Sequence, residues 1–423
     1  MDINKILEGV TCECGRFHEC AIKHVYVERG AASHLTEILE NYTSILLVAD
    51  GNTYLAGGAL CEAQLTEKNV RRVIFPSSPL LIPNERAIEK VSKQTDGIEL
   101  ILGIGSGVIQ DLCKYVSNKT DIPYVIFATA TSMDGYASSG AAMITDGMKV
   151  TYSAGVPLAI LADTEVLGSA PLEMIKAGYG DIIGKYSALN DWKLGSIVNG
   201  EYFCNYVYDL TYDMLKKVLP LAKKLIARDE ESLKTLMEAL ILVGIAMSFA
   251  GSSRPASGSE HHLSHYFEIT GIVDNKAYLP HGIDVIFSTY VTSKIRRKIA
   301  SSKFPSVDFV QTEEEMTAEL GRVYKSVAEG CIALQRKLGT YEDIRAERYL
   351  ANEKEIKKIL RECPTAEKIA SILEDIELDI NDFYKTYGEE KISDAVRYAK
   401  DLKDRYTVLW MYYDMFGIED WKN

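Results

Sequence analysis

Four of the chain's seven histidines lie in one short stretch that is rich in glycine, serine and proline. His261, His262 and His265 follow the segment Gly-Ser-Ser-Arg-Pro-Ala-Ser-Gly, which ends an apolar helical run, and His281 follows Pro280. His261 and His265 are four residues apart, so they share one face of the helix that the pattern predicts there. We expect His281 to begin another helix. Imidazoles brought together in this way are typical ligands of a transition metal.

Asp181 stands in an apolar predicted helix, directly after the run Ala-Gly-Tyr-Gly. A buried carboxylate without a partner is costly, and a cation held by His261 and His281 would be that partner. One carboxylate and two imidazoles leave coordination positions open for a substrate, which is typical of a catalytic metal site. His262 points about 100° away from His261 around the helix, so we expect it to take no part. The alternative is that Asp181 only caps a helix after Gly180.

A glycine-rich turn, Gly103-Ile-Gly105-Ser-Gly107, joins a predicted strand to a predicted helix over residues 108–116. Glycines let a backbone approach a diphosphate closely, and a helix N-terminus supplies free N–H groups and the positive end of its dipole. The turn therefore favours a dinucleotide site, although its spacing differs from the usual Gly-x-Gly-x-x-Gly. A tight turn without a ligand is the alternative.

The next predicted strand ends in a loop of hydroxyls and glycines over residues 129–140. Ligands lie at the carboxyl edge of an open parallel sheet, so Thr129, Ser132 and Ser138 could hold a phosphate or a ribose. Asp134 could accept a hydrogen bond from a substrate hydroxyl. Asp50 closes another strand at the same edge, where its carboxylate would bind the ribose hydroxyls or cap the following helix. A loop-to-helix junction without a ligand is the alternative for the loop.

Apolar strands, among them Ser44–Asp50, alternate with helices through the first part of the chain, which predicts a doubly wound parallel sheet. Strand patterns fade after about residue 165, and helical periodicity continues to the C-terminus. The predicted helices of this part cover residues 220–250, 283–299, 314–337, 353–374 and 392–416. We therefore expect an α/β domain over residues 1–162 and an all-helical domain over residues 163–423, with the boundary at Ala162–Asp163.

Bulk composition narrows the class of protein. With 423 residues the chain exceeds what one core usually holds, and 47% hydrophobic and 25% charged residues are ordinary for a globular protein. A net charge of −13 without a long basic run argues against nucleic acid as a partner. The longest apolar run, Ala239–Ala250, is too short to span a bilayer.

Eight cysteines are scattered through the chain, and no signal peptide precedes them, so we expect a reduced, cytoplasmic protein. Cys12, Cys14, His18 and Cys20 lie close together near the N-terminus. Their spacing matches no common zinc site, so the sequence does not predict one there.

The residues around Asp181, His261 and His281 resemble the sn-glycerol-1-phosphate dehydrogenase family. This family belongs to a wider group with the iron-containing alcohol dehydrogenases, glycerol dehydrogenases and dehydroquinate synthases. The matching runs are Ala-Gly-Tyr-Gly-Asp-Ile-Ile-Gly-Lys, Ser-Arg-Pro-Ala-Ser-Gly-Ser-Glu-His-His-Leu-Ser-His and Leu-Pro-His-Gly. The resemblance extends from about Ile45 to Tyr290. The run Gly-Ile-Asp after His281 departs from the Gly-x-Lys expected of relatives.

The resemblance implies a dehydroquinate synthase-like fold, in which a Rossmann-like α/β dinucleotide-binding domain precedes an all-α domain that binds metal and substrate. It implies that Asp181, His261 and His281 are the metal ligands and that Asp181 and His265 are catalytic. The implied substrate contacts are Asp134, Asp181 and His265. The implied cofactor contacts are Asp50, Gly107, Val108, Ile109, Gln110, Asp111, Thr129, Ala130, Thr131, Ser132 and Ser138.

The implied reaction is hydride transfer between NAD or NADP and the C2 carbon that interconverts dihydroxyacetone phosphate and sn-glycerol 1-phosphate. One divalent metal (zinc, nickel or iron) would assist, and Lys185 and Arg254 are the nearest cationic candidates for the substrate phosphate. The expected partner is a phosphorylated triose or polyol, with no nucleic acid and no membrane span. Relatives are commonly dimers or larger, so we expect a homo-oligomer. The alternatives are a polyol dehydrogenase acting on glycerol, a dehydroquinate synthase-like lyase and a nucleotide-binding module without catalysis.

Overall fold

The chain is described by a computed structural model over residues 2–145, 148–418 and 421. Strands and helices alternate in its first part. The strands are β1 (Val10–Thr11), β2 (Phe17–His18), β3 (His24–Val27), β4 (Ser44–Asp50), β5 (Asn69–Phe75), β6 (Leu100–Gly105), β7 (Tyr124–Ala128), β8 (Gly140–Thr145), β9 (Met148–Ser153) and β10 (Ala159–Ala162). The helices of this part are α1 (Ile3–Leu7), α2 (Leu35–Ile38), α3 (Gly51–Glu62), α4 (Glu85–Ser92), α5 (Gly107–Thr120), α6 (Thr164–Ser169) and α7 (Leu172–Asn199).

The rest of the described chain is helical. Its α-helices are α8 (Asn205–Val218), α9 (Ala222–Ile226), α10 (Glu230–Ala250), α11 (Ser259–Asp274), α12 (His281–Ser301), α13 (Glu313–Tyr324), α14 (Ala328–Leu338), α15 (Ala346–Ala351), α16 (Glu353–Glu362), α17 (Ala366–Asp375), α18 (Ile380–Tyr398) and α19 (Val408–Phe416). The predicted helical C-terminal region is confirmed, and α12 begins at His281 as expected.

Six strands form a parallel sheet in the order β3-β10-β7-β6-β4-β5. Strands β6, β7 and β10 are buried along their whole length and β4 at its five central residues, which is why their sequences are unbroken apolar runs. The chain leaves β4 for its edge neighbour β5, and it leaves β6 for β7 on the other side. The carboxyl ends of β4 and β6 therefore form a topological switch point, where open α/β sheets bind ligands.

The predicted parallel, Rossmann-like sheet is confirmed, and β4 has the predicted bounds. The antiparallel hairpin of β8 and β9 was not predicted. In β8 buried and half-buried residues alternate, so no continuous apolar run marks it as a strand.

Four predicted helices are each divided in the structure. The helix expected over residues 220–250 becomes α9 and α10, and the helix expected over residues 392–416 becomes the end of α18 and α19. The helix expected over residues 314–337 becomes α13 and α14, because Lys325 between them has a positive φ of 49°. The helix expected over residues 353–374 becomes α16 and α17. Pro364 follows the end of α16, and proline has no N–H to continue a helical ladder.

The chain forms two compact units, and each is built from two separate stretches. The first unit comprises Met1–Ile182 and Asp209–Ser253, and the second comprises Ile183–Tyr208 and Arg254–Asn423. The sequence instead predicts a single boundary at residue 162, where the strands of the sheet end. Helix α10 groups with the sheet unit because it packs tightly there: a Cβ added to Gly244 would lie 2.8 Å from the Cβ of Ala137.

Helix α10 is the one described helix that is long and apolar enough to cross a membrane by length and composition. It has 21 residues, and its most apolar stretch has a mean hydropathy of 1.7. Of that stretch, 78% is buried inside the protein, as in the core helix of a globular unit. The run Ala239–Ala250 is thus part of a longer helix than its apolar residues alone indicate.

Candidate active site

Three imidazoles converge in the second unit. Helix α11 presents His261 and His265 on one face, and His281 is the first residue of α12. The ring centroids of His261 and His281 lie 5.0 Å apart, and that of His265 lies 6.2 Å from His261 and 5.5 Å from His281. His261 is buried, whereas His265 and His281 are partly exposed. His261 and His265 therefore share one face of α11, as their four-residue spacing predicts. Helix α12 contributes the third ring, His281.

Neighbouring side chains hold the Nδ1 atoms of two of these rings. The Nδ1 atom of His261 lies 2.6 Å from Oε1 of Glu260, and that of His281 lies 3.3 Å from the Ser264 hydroxyl. A ring whose Nδ1 is held in this way presents Nε2 to a ligand, which is the usual arrangement around metal-binding histidines. The candidate ligand atoms of His261 and His281 lie within 4.8 Å of each other.

Burial controls the protonation of this cluster. It lowers the pKa of His261 well below the usual range, and the nearby Lys185 ammonium acts in the same direction. Burial, helped by the Asp191 carboxylate, raises the pKa of Glu260 to about 7. His261 is consequently neutral at physiological pH, which is the form that binds a cation. His261, rather than its neighbour His262, is the ring that faces His281.

Gly184 explains how helix α7 approaches this cluster within the second unit. A Cβ at Gly184 would lie 2.4 Å from a methyl group of Val285 on α12 and 3.4 Å from Cγ of Glu260 on α11. Only a glycine permits this approach without displacing the neighbouring helix. Gly184 therefore allows α7 to pack closely against α11 and α12.

Asp181 lies earlier on α7, in the first unit, and is fully buried. Its Oδ2 accepts a hydrogen bond of 3.0 Å from the backbone N–H of Asp134. A Cβ at Gly178, three residues before Asp181, would lie 1.8 Å from the carbonyl oxygen of Thr131. Helix α7 thus lies backbone to backbone against the 129–134 loop. Asp181 does not cap the helix, because α7 begins nine residues earlier at Leu172.

The switch point of the sheet carries Asp50 and the glycine turn. Oδ1 of Asp50 accepts the N–H groups of Asn52 and Thr53 at 2.8 and 3.0 Å, so the carboxylate caps α3. A Cβ at Gly105 would lie 2.6 Å from the Cβ of Ile109, so this glycine is needed to pack α5 on β6. No side-chain cap bonds the N-terminal amides of α5. The helix start at Gly107 therefore suits an anion.

The loop after β7 is fastened from α5 by two side chains. The Lys114 ammonium donates to the carbonyls of Gly135 and Gly140 at 3.0 and 2.9 Å and to the Ser138 hydroxyl at 3.1 Å. The Gln110 amide donates to the Tyr136 carbonyl at 2.8 Å. Burial lowers the pKa of Lys114. Sequence reasoning missed Lys114, although a lysine on the buried face of a helix was the available signal.

The remaining predicted residues lie along the same edge of the sheet. Thr129, Ala130 and Thr131 are buried, and Ser132 is partly exposed. The Thr131 hydroxyl is buried and has no hydrogen-bond partner among the described residues. On α5, Val108 is partly exposed, and Asp111 lies 3.7 Å from Lys114.

The two cationic candidates for substrate phosphate are both buried in the second unit. The Lys185 ammonium donates to the Ala256 carbonyl at 3.0 Å. Arg254 forms an ion pair with Glu201 and donates to the Tyr406 carbonyl. Both cations are therefore engaged by partners within the second unit.

Comparison with solved structures supports the fold. The iron-containing alcohol dehydrogenase from Thermococcus thioreducens aligns with a TM-score of 0.61 at 14% identity, covering 93% of this chain and 97% of that chain. A probable glycerol dehydrogenase from Sinorhizobium meliloti aligns with a TM-score of 0.61 at 15% identity, covering 94% and 96%. Residues 26–171 match the family model described as iron-containing alcohol dehydrogenase.

Sequence relatives extend over the whole chain. A glycerol-1-phosphate dehydrogenase (NAD(P)+) from Geobacillus stearothermophilus is 30% identical over 432 residues, covering 99% of this chain and 100% of that protein. One from Halalkalibacterium halodurans is 34% identical over 303 residues, covering 69% and 75%. These relatives define a class of NAD(P)-linked oxidoreductases. The chain belongs to the glycerol-1-phosphate dehydrogenase (NAD(P)+) family, so the predicted resemblance is confirmed.

Proposed function

We propose that this protein interconverts dihydroxyacetone phosphate and sn-glycerol 1-phosphate by hydride transfer at C2, with NAD or NADP and one divalent cation. The observation that carries the proposal is the pair of imidazoles, His261 and His281, whose Nδ1 atoms are both held by neighbours. They occur in a chain that aligns over 99% of its length with a glycerol-1-phosphate dehydrogenase.

Asp181, His261 and His281 are the proposed ligands of the cation. One carboxylate and two imidazoles could hold a metal ion and leave positions open for substrate. Asp181 lies on α7 three residues before Gly184, which packs against the helices that carry both imidazoles. The set suits zinc, nickel or iron, and availability selects among them.

The chain's own residues divide the remaining work. A cation held by Asp181, His261 and His281 would supply Lewis acidity at the C2 oxygen, and a reduced nicotinamide would supply the hydride. His265 shares the face of His261 and is partly exposed, so it can hold a substrate hydroxyl and pass a proton. The Asp134 carboxylate is proposed to accept a hydrogen bond from a substrate hydroxyl. The Lys185 ammonium is proposed to attract the substrate phosphate.

The switch point of the sheet is the proposed dinucleotide site. The uncapped start of α5, from Gly107 to Asp111, would bind the diphosphate through backbone amides. Asp50 would bind the ribose through its second carboxylate oxygen. The loop from Thr129 to Ser132, with Ser138, would complete the site, and the buried Thr131 hydroxyl fits this role because a ligand would supply its missing partner.

The decisive experiment measures turnover of dihydroxyacetone phosphate by absorbance of NADH, before and after metal removal, with the chirality of the product determined. We expect metal-dependent oxidation of NADH and sn-glycerol 1-phosphate as product. In the reverse direction, with oxidised NAD or NADP as hydride acceptor, turnover of sn-glycerol 1-phosphate is compared with turnover of glycerol and of sn-glycerol 3-phosphate.

Each alternative gives a different result in this assay. Preferred turnover of glycerol would identify a polyol dehydrogenase. A lyase of the dehydroquinate synthase kind would bind NAD without net NADH formation or consumption. Binding of NAD without metal-dependent turnover would indicate a binding module. Any of these three results would contradict the proposal.

We also propose a cytoplasmic location and a homo-oligomeric assembly. All eight cysteines are among the described residues and none forms a disulfide, which suits the reducing cytoplasm. The homo-oligomer is proposed because relatives are commonly dimers or larger. Light scattering of the purified protein tests it by measuring the molar mass.

A further inference from the structure

We propose that the hairpin of β1 and β2 binds a structural zinc ion through Cys12, Cys14 and His18. The hairpin belongs to the first unit and uses none of the residues proposed for catalysis. The inference is therefore independent of the proposed function and goes beyond it.

The backbone of the hairpin gathers the donor atoms. The Cys12 N–H donates to the Arg16 carbonyl at 3.0 Å, and the Gly15 N–H donates to the Cys12 carbonyl at 3.0 Å. Gly15 has a φ of +84°, a left-handed conformation that glycine adopts without strain. The donor atoms of Cys12, Cys14 and His18 all lie within 4.8 Å of one another, and Sγ of Cys14 lies 3.4 Å from Nε2 of His18.

The environment of His18 fixes which ring nitrogen is available. Its Nδ1 lies 2.8 Å from the carbonyl oxygen of Phe249, and a carbonyl can only accept a hydrogen bond. Nδ1 therefore carries the proton, and Nε2 presents a lone pair on the side of Cys14. The ring is 1% exposed and stacks on the Phe249 ring at 5.4 Å between centroids. A buried imidazole that donates Nδ1–H to a carbonyl has the usual orientation of a metal-binding histidine.

The donor chemistry selects the metal. Two thiols and an imidazole suit zinc, and both thiols would lose their protons to solvent on binding. Cys20 is not a donor of this set, because its thiol is hydrogen-bonded to Ser248. The three donors are therefore spaced Cys-x-Cys-x-x-x-His. This spacing is hard to recognise in the sequence because Cys20 follows His18 so closely.

Such an ion would fasten the hairpin to helix α10. His18 bonds the Phe249 carbonyl near the end of α10, and the Arg16 guanidinium donates to the Ala250 carbonyl at 3.2 Å. A zinc ion on His18 would fix this contact by joining the two cysteines of the turn to the same ring. We therefore assign the ion a structural role.

The test replaces the bound metal of the full-length protein with Co²⁺ and records the sulfur-to-cobalt charge-transfer absorption. The proposed catalytic ligands contain no sulfur, so this absorption reports on the hairpin alone. We expect the band in the wild type and in Cys20→Ser, and its loss in Cys14→Ser. Bound zinc measured by mass spectrometry should fall by about one equivalent per chain in Cys14→Ser only.

Two results would overturn the proposal: no charge-transfer band in the wild type, or an undiminished band in Cys14→Ser. X-ray absorption at the zinc edge of the wild type covers the case in which Cys14→Ser fails to fold. Sulfur neighbours around part of the zinc would support the site, and their absence would refute it. Inactivity toward dihydroxyacetone phosphate would leave these signals unchanged.

Discussion

At the scale of single residues, the orientation of two imidazoles depends on neighbours that the spacing of histidines does not reveal. Helical periodicity predicts that His261 and His265 share a face, and they do. It gives no reason for Glu260 to contact His261, since adjacent helical residues point about 100° apart. The contact arises at the first turn of α11, where Oε1 of Glu260 also accepts the Gly258 N–H at 2.8 Å. Such a local turn geometry needs coordinates.

Replacing Glu260 tests this orientation. We expect Glu260→Gln to keep an acceptor for His261 and to weaken metal binding modestly, whereas Glu260→Ala should weaken it by about 10–100-fold. Metal affinity is measured by competition with a chromophoric chelator. Glu268→Gln, two turns further along α11, is the control and should bind metal as the wild type does. Equal affinities for Glu260→Ala and the wild type would show that Glu260 does not orient the ring.

Asp414 should make stability depend on pH. Burial of the Asp414 carboxyl outweighs the attraction of the Arg345 guanidinium and raises the pKa of Asp414 from 3.8 to about 6. The folded protein thus binds a proton that the unfolded chain has already lost, so the stabilisation is complete below 3.8 and is lost as the pH rises through 6. The difference corresponds to about 3 kcal/mol.

Urea unfolding between these pH values measures this contribution. We expect the free energy of unfolding to fall with rising pH in the wild type and to fall much less in Asp414→Asn. Asp404→Asn, at a side chain that is 63% exposed, is the control and should keep the wild-type slope. An unchanged slope in Asp414→Asn would assign the pH dependence to other groups.

At the scale of elements, helix α7 connects the predicted cofactor loop to the predicted metal ligand. Gly178 touches the Thr131 carbonyl, and Asp181 bonds the Asp134 N–H, so one turn of helix contacts both ends of the 131–134 segment. The sequence marked Asp181 correctly as a residue in an apolar helix. It could not show that Gly178 is required, because the contact joins segments far apart in the chain.

A methyl group at Gly178 should separate α7 from this loop. The added Cβ would meet backbone rather than a flexible side chain, so Gly178→Ala should destabilise the protein by about 1–3 kcal/mol and raise KM for the dinucleotide. Gly330→Ala on α14 is the matched control, because nothing lies within 4 Å of the added Cβ. That control should be neutral or stabilising by up to about 1 kcal/mol. Calorimetry and steady-state kinetics distinguish the two, and equal stability of both variants would contradict the packing argument.

Strand and helix patterns reveal elements well where burial is uniform and less well elsewhere. The apolar run of β4 gave its bounds because every central residue is buried. The break between α13 and α14 depends on one backbone angle at Lys325, which amphipathic periodicity does not encode. The strands predicted from the sequence therefore agree with the structure better than the predicted helix lengths do.

At the scale of the whole molecule, each compact unit is assembled from two stretches of chain. Composition changes near residue 162 because the strands end there, and this change alone suggested a simple boundary. Membership of α10 in the sheet unit depends on contacts such as Gly244 against Ala137, which no local pattern shows.

Fragments of the chain test this division. We expect residues 1–162 alone to lack a cooperative thermal transition, because α10 would no longer cover the sheet unit. A chain that joins residues 1–182 to residues 209–253 through a flexible linker should regain the transition and bind NAD. Circular dichroism and titration with NAD measure both properties. Cooperative unfolding of residues 1–162 alone would show that α10 is dispensable.

The return of the chain to the sheet unit at Asp209–Ser253 has a consequence for biosynthesis. During translation the ribosome must deliver residues of the helical unit before it delivers α10. The sheet unit consequently cannot finish folding until Ser253 has emerged from the ribosome, because α10 is made after all six strands of the sheet.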